Sequence, residues 1–93
     1  MLDIVRTDDV LGGDPRLEGT RVGVVHVKER VDAGDEAAQI AADYGIGLAD
    51  VFAALAYYYG NPDVMDEVER RRESFVEEIT LSYAGPSTTH LSE

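Results

Sequence analysis

Glycines at positions 34, 45 and 60 leave no room for a long helix before residue 61, and this punctuation constrains the fold more than any other feature of the chain. Between the breaks, apolar residues recur at helical spacing. Val24, Val27 and Val31 give a first helix that Gly34 stops. Asp35 is expected as the N-cap of a second helix, whose apolar face is Ala37, Ile40, Ala41 and Tyr44 and which Gly45 breaks. A third follows almost at once. Asp50 lies in its first turn, at the positive end of the helix dipole, and Val51, Ala54, Leu55 and Tyr58 run along its buried side. Asn61 and Pro62 then open a fourth helix by the N-cap and N1 preferences, with a narrow stripe of Val64, Val68, Phe75 and Ile79. On its charged side, Asp66 with Arg70 and Glu67 with Arg71 are expected as i,i+4 ion pairs.

The segment before these helices reads differently. "LDIVR" alternates weakly, and "PRLEG" follows a Gly-Gly turn, so the two predict a short β element formed within the chain or with another protomer. In "GGDPRLEGTR", Gly12 and Gly13 permit positive φ, Pro15 fixes its own φ and extends Asp14, and Gly19 permits a second sharp change before Thr20. The loop so shaped presents Arg16 and Arg21, with Arg6 and Lys28 placed for the same side. Planar guanidinium forks suit phosphate or carboxylate, and they suit equally the neighbouring acids that would hold the β element on the helices. Both readings stay open at this point.

"AAQIAADYGIGLADVFAA" has the pattern of a helix-turn-helix. Ala41 lets the second helix cross closely, Gly45 supports the tight turn, and Ile40, Ile46 and Val51 fill the corner. The expected fold is mainly α: a tri-helical, helix-turn-helix core with a short N-terminal β element and a long C-terminal helix. Residues 1–60 form the domain, 61–83 the C-terminal helix for partner or dimer contact, and 84–93 a tail too poor in apolar residues to fold.

Charge bears on what such a corner can do. The 93 residues hold 19 acids against 8 bases, a net charge of −11, and Lys28 is the single lysine. Because the acids are spread along the whole chain, the composition resembles that of proteins from salt-accumulating halophiles; a basic partner is the alternative. Residues 35 to 60 include Asp35, Glu36, Asp43 and Asp50 and no Lys or Arg. The helix in the recognition position would offer Leu48, Ala49, Asp50, Phe52 and Ala53, which suit neither base edges nor phosphates.

Other chemistries find little support. The absence of cysteine removes disulfides, thiolate metal sites and thiol catalysis. His26 and His90 are far apart, no serine has a plausible base, and the glycine loop lacks the lysine of a phosphate loop. No enzymatic activity, metal or cofactor is expected. The acidic start and the lack of a bilayer-length apolar run predict a cytoplasmic protein without membrane contact.

Over residues 4 to 59, "GGDPRLEGTRVGV" and "GDEAAQIAADYGIGLADVFAALAYY" resemble the small antitoxin-like family catalogued as domain of unknown function 433. The matched motif is Gly12, Gly13, Pro15, Arg16, Gly19, Thr20 and Arg21, continued by Val24, Gly34, Ile40, Tyr44, Val51, Ala54, Leu55 and Tyr57. The resemblance implies a homeodomain-like core, a homodimer, and an antitoxin that neutralises a PIN-like ribonuclease toxin and binds operator DNA. Partner contact would then fall to Val68, Arg71, Arg72, Phe75 and Ile79, with a guanidinium placed among the carboxylates of the nuclease. DNA contact would fall to Arg16, Arg21, Arg6 and Lys28. Three departures weigh on this. Asp14 stands where the family has lysine, Gly23 where it has proline, and Gly47 where a Ser or Thr cap is common, so both helix starts should be loose. The alternative is a homodimeric interaction module that uses the helix-turn-helix as architecture and binds no DNA, with Arg70, Arg71 and Arg72 paired to neighbouring acids.

Overall fold

A computed structural model of the chain describes residues 1–74. Phe75, Ile79 and the tail at 84–93 lie outside the described residues. The element order is β1 (Ile4–Val5), a 3-10 turn (Leu11–Gly13), β2 (Arg16–Leu17), α1 (Val24–Asp32), α2 (Ala37–Tyr44) and α3 (Leu48–Gly60), followed by a helix α4 that occupies 62–74. The architecture is thus mainly helical with a short N-terminal sheet. The two strands pair within the chain, antiparallel, with Ile4 opposite Leu17 and Val5 opposite Arg16.

The ends of α1 and α2 follow from their glycines, whereas Gly60 stays within α3, whose C-cap is Asn61. At Gly34, φ is 95°, and the turn closes with Gly34 N–H donating to Val31 O and Asp35 N–H to Arg30 O, both at 3.0 Å. This is the 5→2 and 6→1 pairing of a Schellman end, which satisfies carbonyls that the helix leaves open. At Gly45 φ is 67°, and Ile46 N–H donates to Ala41 O at 3.0 Å. The chain thereby turns 108° between α2 and α3, within the range of a helix-turn-helix corner.

The core sits where the helices cross. Val24, Val25 and Val27 from α1, Ile40 and Ala41 from α2, Val51 and Ala54 from α3, and Met65 and Val68 from α4 form one buried cluster. Leu17 of β2 is also fully buried. Two residues here escape the expected pattern. Val25 is buried because α1 meets helices on two sides, and Met65 takes the deep position on α4, leaving Val64 half-buried beside it.

Several local expectations are corrected. The N-cap of α2 is Glu36, not Asp35, because the Asp35 carboxylate is drawn to the Arg30 guanidinium. Arg70 pairs with Glu67 one turn back, not with Asp66, whereas the Glu67–Arg71 pair forms at 3.5 Å. The glycine-capped starts of α1 and α3 are not open. Gly23 N–H donates to His26 Nδ1 at 2.9 Å and Gly47 N–H to Asp50 Oδ2 at 2.8 Å, so in each case a side chain of the first turn closes half of a capping box. Among the described residues no single helix is long and apolar enough to cross a membrane.

Ile40 is fully buried at the centre of this cluster, so Ile40→Ala should destabilise the domain by about 2–5 kcal/mol through lost contacts and the cavity left behind. Ala49→Ser, on the exposed side of α3, should change stability little, and chemical denaturation of both variants measures the contrast.

Candidate functional site

The loop from Thr7 to Gly23 is the part of the chain whose residues the helices do not explain. Leu11, Gly12 and Gly13 all have positive φ, at 52°, 63° and 87°. For glycine this costs little, whereas for Leu11 it is a strained conformation that the surroundings must hold. The Leu11 side chain packs over Gly23, where an added Cβ would come to 3.4 Å from Leu11 Cδ1 and 3.3 Å from His26 Nδ1. Gly23 therefore fits two neighbours at once. A proline at that position would also lack the N–H that His26 accepts.

Arg16 is turned inward and braces this loop. Its Nη1 donates to Thr20 O at 3.0 Å and its Nη2 to Thr7 Oγ1 at 3.0 Å, while its Nε is buried without a partner among the described residues. Thr20 closes the second turn: its hydroxyl donates to Leu17 O at 2.7 Å and accepts from Val22 N–H at 3.0 Å. Buried Pro15 receives the first amide of α1, Val24 N–H to Pro15 O at 2.9 Å. Arg6 Nε donates to Gly13 O at 2.7 Å. Arg21 is exposed and enters no ion pair among the described residues.

The four candidate DNA contacts are thus not one surface. Arg16 is a structural brace, and Arg6 closes the loop from outside. Lys28 lies elsewhere: its ammonium sits 2.6 Å from Asp32 and 4.9 Å from the centre of the Tyr58 ring, with Tyr59 at 5.9 Å. Of the set, Arg21 is the one with no ion pair or side-chain hydrogen bond among the described residues.

The arginines of α4 tie that helix back onto the loop and α1. Arg71 Nη1 lies 3.1 Å from Asp14 Oδ1, and Arg72 Nη2 2.8 Å from Glu29 Oε2. The acid at position 14, where the family resemblance led one to expect lysine, therefore meets a cation of the same chain. Tyr58 adds a contact to α4 by donating its hydroxyl to Glu69 at 3.1 Å, and burial, reinforced by that carboxylate, pushes its pKa up. Val68, expected at a partner surface, is only 1% exposed and belongs to the chain's own core. No local pattern in the sequence announces the Asp14–Arg71 and Glu29–Arg72 pairs, because the partners are far apart along the chain.

Asp50 is the buried charge of the domain, 6% exposed. Its Oδ1 accepts the Leu2 N–H at 2.6 Å and its Oδ2 the Gly47 N–H at 2.8 Å. These two amides, that of Leu2 foremost, hold its carboxyl below the usual carboxylate range. Its place three residues after Gly47 is the capping-box spacing, a signal present in the sequence; the partnership with Leu2 is not. His26 shifts downward as well, pushed by burial and then by the Arg72 charge, against the opposing pull of Glu29 and Asp14. Since its Nδ1 accepts a hydrogen bond, the ring is neutral there and carries its proton on Nε2.

No cluster of His, Asp and Glu among the described residues is placed to hold a metal ion. Fold and site together define a small helix-turn-helix domain buttressed by a braced glycine-rich loop. The chain belongs to the family described as "Protein of unknown function (DUF433)", which matches residues 4–58. It is also similar to the "Uncharacterized protein Rv2308" of Mycobacterium tuberculosis (strain ATCC 25618 / H37Rv), at 36% identity over 55 residues. Those residues are 59% of this chain and 23% of that relative, so the chain spans about a quarter of the relative's length. No solved structure matches.

The two shifted groups set the acid response. Unfolded His26 takes a proton at higher pH than the folded ring does, so stability should begin to fall as pH drops through the ordinary histidine value. Asp50, ionised in the fold below the ordinary carboxylate range, contributes stability above that range and loses it as pH falls through its folded value. Thermal melts of His26→Gln should lack the first step, and those of Asp50→Asn should show a lower midpoint near neutrality and a flatter acid limb.

Proposed function

We propose that this chain is an antitoxin-type binding protein that neutralises a PIN-like ribonuclease through α4, with the helix-turn-helix serving as architecture. The observation that carries the reading is the segregation of charge. The corner from 35 to 60 has no Lys or Arg, whereas Arg70, Arg71 and Arg72 are consecutive on α4. Their side chains remain 65%, 44% and 40% exposed while paired within the chain. Exposed ion pairs contribute little to stability, so such guanidinium groups exchange readily for carboxylates on a partner, and the metal-binding carboxylates of a PIN-type nuclease are suitable acceptors. Membership of the family supports the same reading through the antitoxin-like resemblance. The acids spread along the chain support a cytoplasm rich in salt as its setting.

Operator binding is the second reading, and exposed Arg21 is the feature that favours it. With Arg16 committed to the loop and Lys28 to Asp32, a phosphate contact there would rest on Arg21 and Arg6 alone. A net charge of −11 opposes it at long range, and added salt erodes what remains.

Co-expression with a PIN-like nuclease encoded beside this chain tests the first reading. Arg71→Glu combined with Arg72→Glu should abolish growth rescue and co-purification while leaving most of the helical circular dichroism signal; full rescue by that double variant would sink the proposal. In gel shifts with the duplex upstream of its own gene, the chain should bind no more tightly than to an unrelated duplex. A sequence-specific shift lost in Arg21→Ala would instead favour the second reading.

A further inference from the structure

We propose that α3, the helix in the recognition position, is the dimerisation helix of this protein, and that its outer face is covered by the same face of a second copy. The inference concerns a surface apart from the arginines of α4 and does not depend on the antitoxin reading.

Apart from Met1, the large apolar residues exposed among the described residues are Leu48, Phe52 and Tyr59, at 49%, 55% and 67%. All three belong to α3. At 100° per residue they fall within a strip about 40° wide, with half-buried Leu55 on one flank and exposed Ala56 on the other. Val51 and Ala54 face the core on the adjoining side, so the apolar surface of α3 extends beyond what the core covers. From about 150–250 Å² for a large side chain, the three residues expose roughly 250–430 Å², comparable with the largest apolar patch of an ordinary monomer, which is often a functional one.

Charge identifies the occupant. Asp50 is the single Asp, Glu, Lys or Arg of α3 and it is buried, so the outer face of this helix carries no formal charge. The other described helices all expose charged side chains. Two copies of a chain with a net charge of −11 repel each other over most of their surface, and α3 is where they can touch without setting acid against acid. The charges that border it, Lys28 and Asp32 near Tyr59, already pair with each other, so a basic partner would gain little here. The stripe is also self-complementary: in an antiparallel pair, the register that sets Leu48 against Tyr59 of the second copy sets Phe52 against its Leu55. That arrangement is the twofold, isologous contact of closed dimers, and it brings the positive end of each α3 dipole to the negative end of the other.

Sedimentation equilibrium of the purified full chain, without nuclease or DNA, tests this. The wild type is expected to be a dimer at micromolar concentration, and to tighten between about 0.1 and 1 M salt as screening removes the net repulsion. Phe52→Glu should weaken the dimer at least tenfold. Its thermal midpoint, measured where both proteins are monomeric, should match the wild type, because Phe52 is half exposed in the single chain. Leu48→Glu, nearer the end of the stripe, provides the same reading if Phe52→Glu fails to fold. Arg71→Glu with Arg72→Glu should remain dimeric. A monomeric wild type at about 100 μM, a dimer that dissociates in high salt, or a dimer unchanged by both stripe variants would each overturn the proposal.

Discussion

The carboxylate of Asp50 holds the two ends of this small domain together. An ionised acid removed from water is costly unless donors replace the lost solvation, and here two backbone amides do so. One belongs to Gly47, at the start of α3. The other belongs to Leu2, ahead of β1. The same side chain therefore closes a helix start and fixes where the N-terminal strand begins, two residues before Ile4 enters its pairing with Leu17. From there the dependence continues. Leu17 is buried against the helices, Arg16 beside it braces the loop, and Pro15 receives the first amide of α1. In a domain of this size, without a disulfide, such polar anchoring supplements a core that is small.

The glycine-rich loop shows how a motif of apparent binding residues becomes structural. Its arginines attract attention because the chain has so few cations, yet an acidic protein also needs its cations internally. Arg16, Arg30, Lys28 and the three arginines of α4 each find an oxygen acceptor within the chain. The pairs differ in kind. Arg16 is held by a carbonyl and a hydroxyl in a tight turn and has no freedom to leave, whereas the α4 pairs are solvent-exposed and exchangeable. That difference, and not the count of arginines, separates a brace from a binding group.

Much of the helical frame was legible from residue spacing, because Gly34 and Gly45 act locally and the periodicity of Val24, Ile40 and Val51 reports one neighbour each. The short strands were legible in outline, and their pairing partner became clear only from the register. What spacing could not convey was competition. Asp35 is a good N-cap by type, but Arg30 lies within reach and takes its carboxylate, leaving Glu36 at the cap position. Asp66 and Arg70 have ideal separation, yet Glu67 offers the same guanidinium a shorter route. Asp14 with Arg71 and Asp50 with Leu2 are products of the tertiary fold, with no trace in any local window.

Helix α3 carries more apolar surface than the core of one chain covers, and the reason bears on function. A surface helix normally sets one apolar stripe against a polar one, and Val51, Ala54, Leu55 and Tyr58 form the buried and half-buried side that their spacing predicts. Yet the remainder holds Leu48, Phe52, Ala56 and Tyr59, and no polar stripe exists. A helix that is apolar all round belongs inside something. The chain's own core uses one side, and the exposed stripe of Leu48, Phe52 and Tyr59 is the surface for which the dimer contact is proposed. The residues that make α3 poorly suited to base edges are those of the proposed dimer contact, and both judgements follow from one fact: its outer face offers neither charge nor amide to a polar partner.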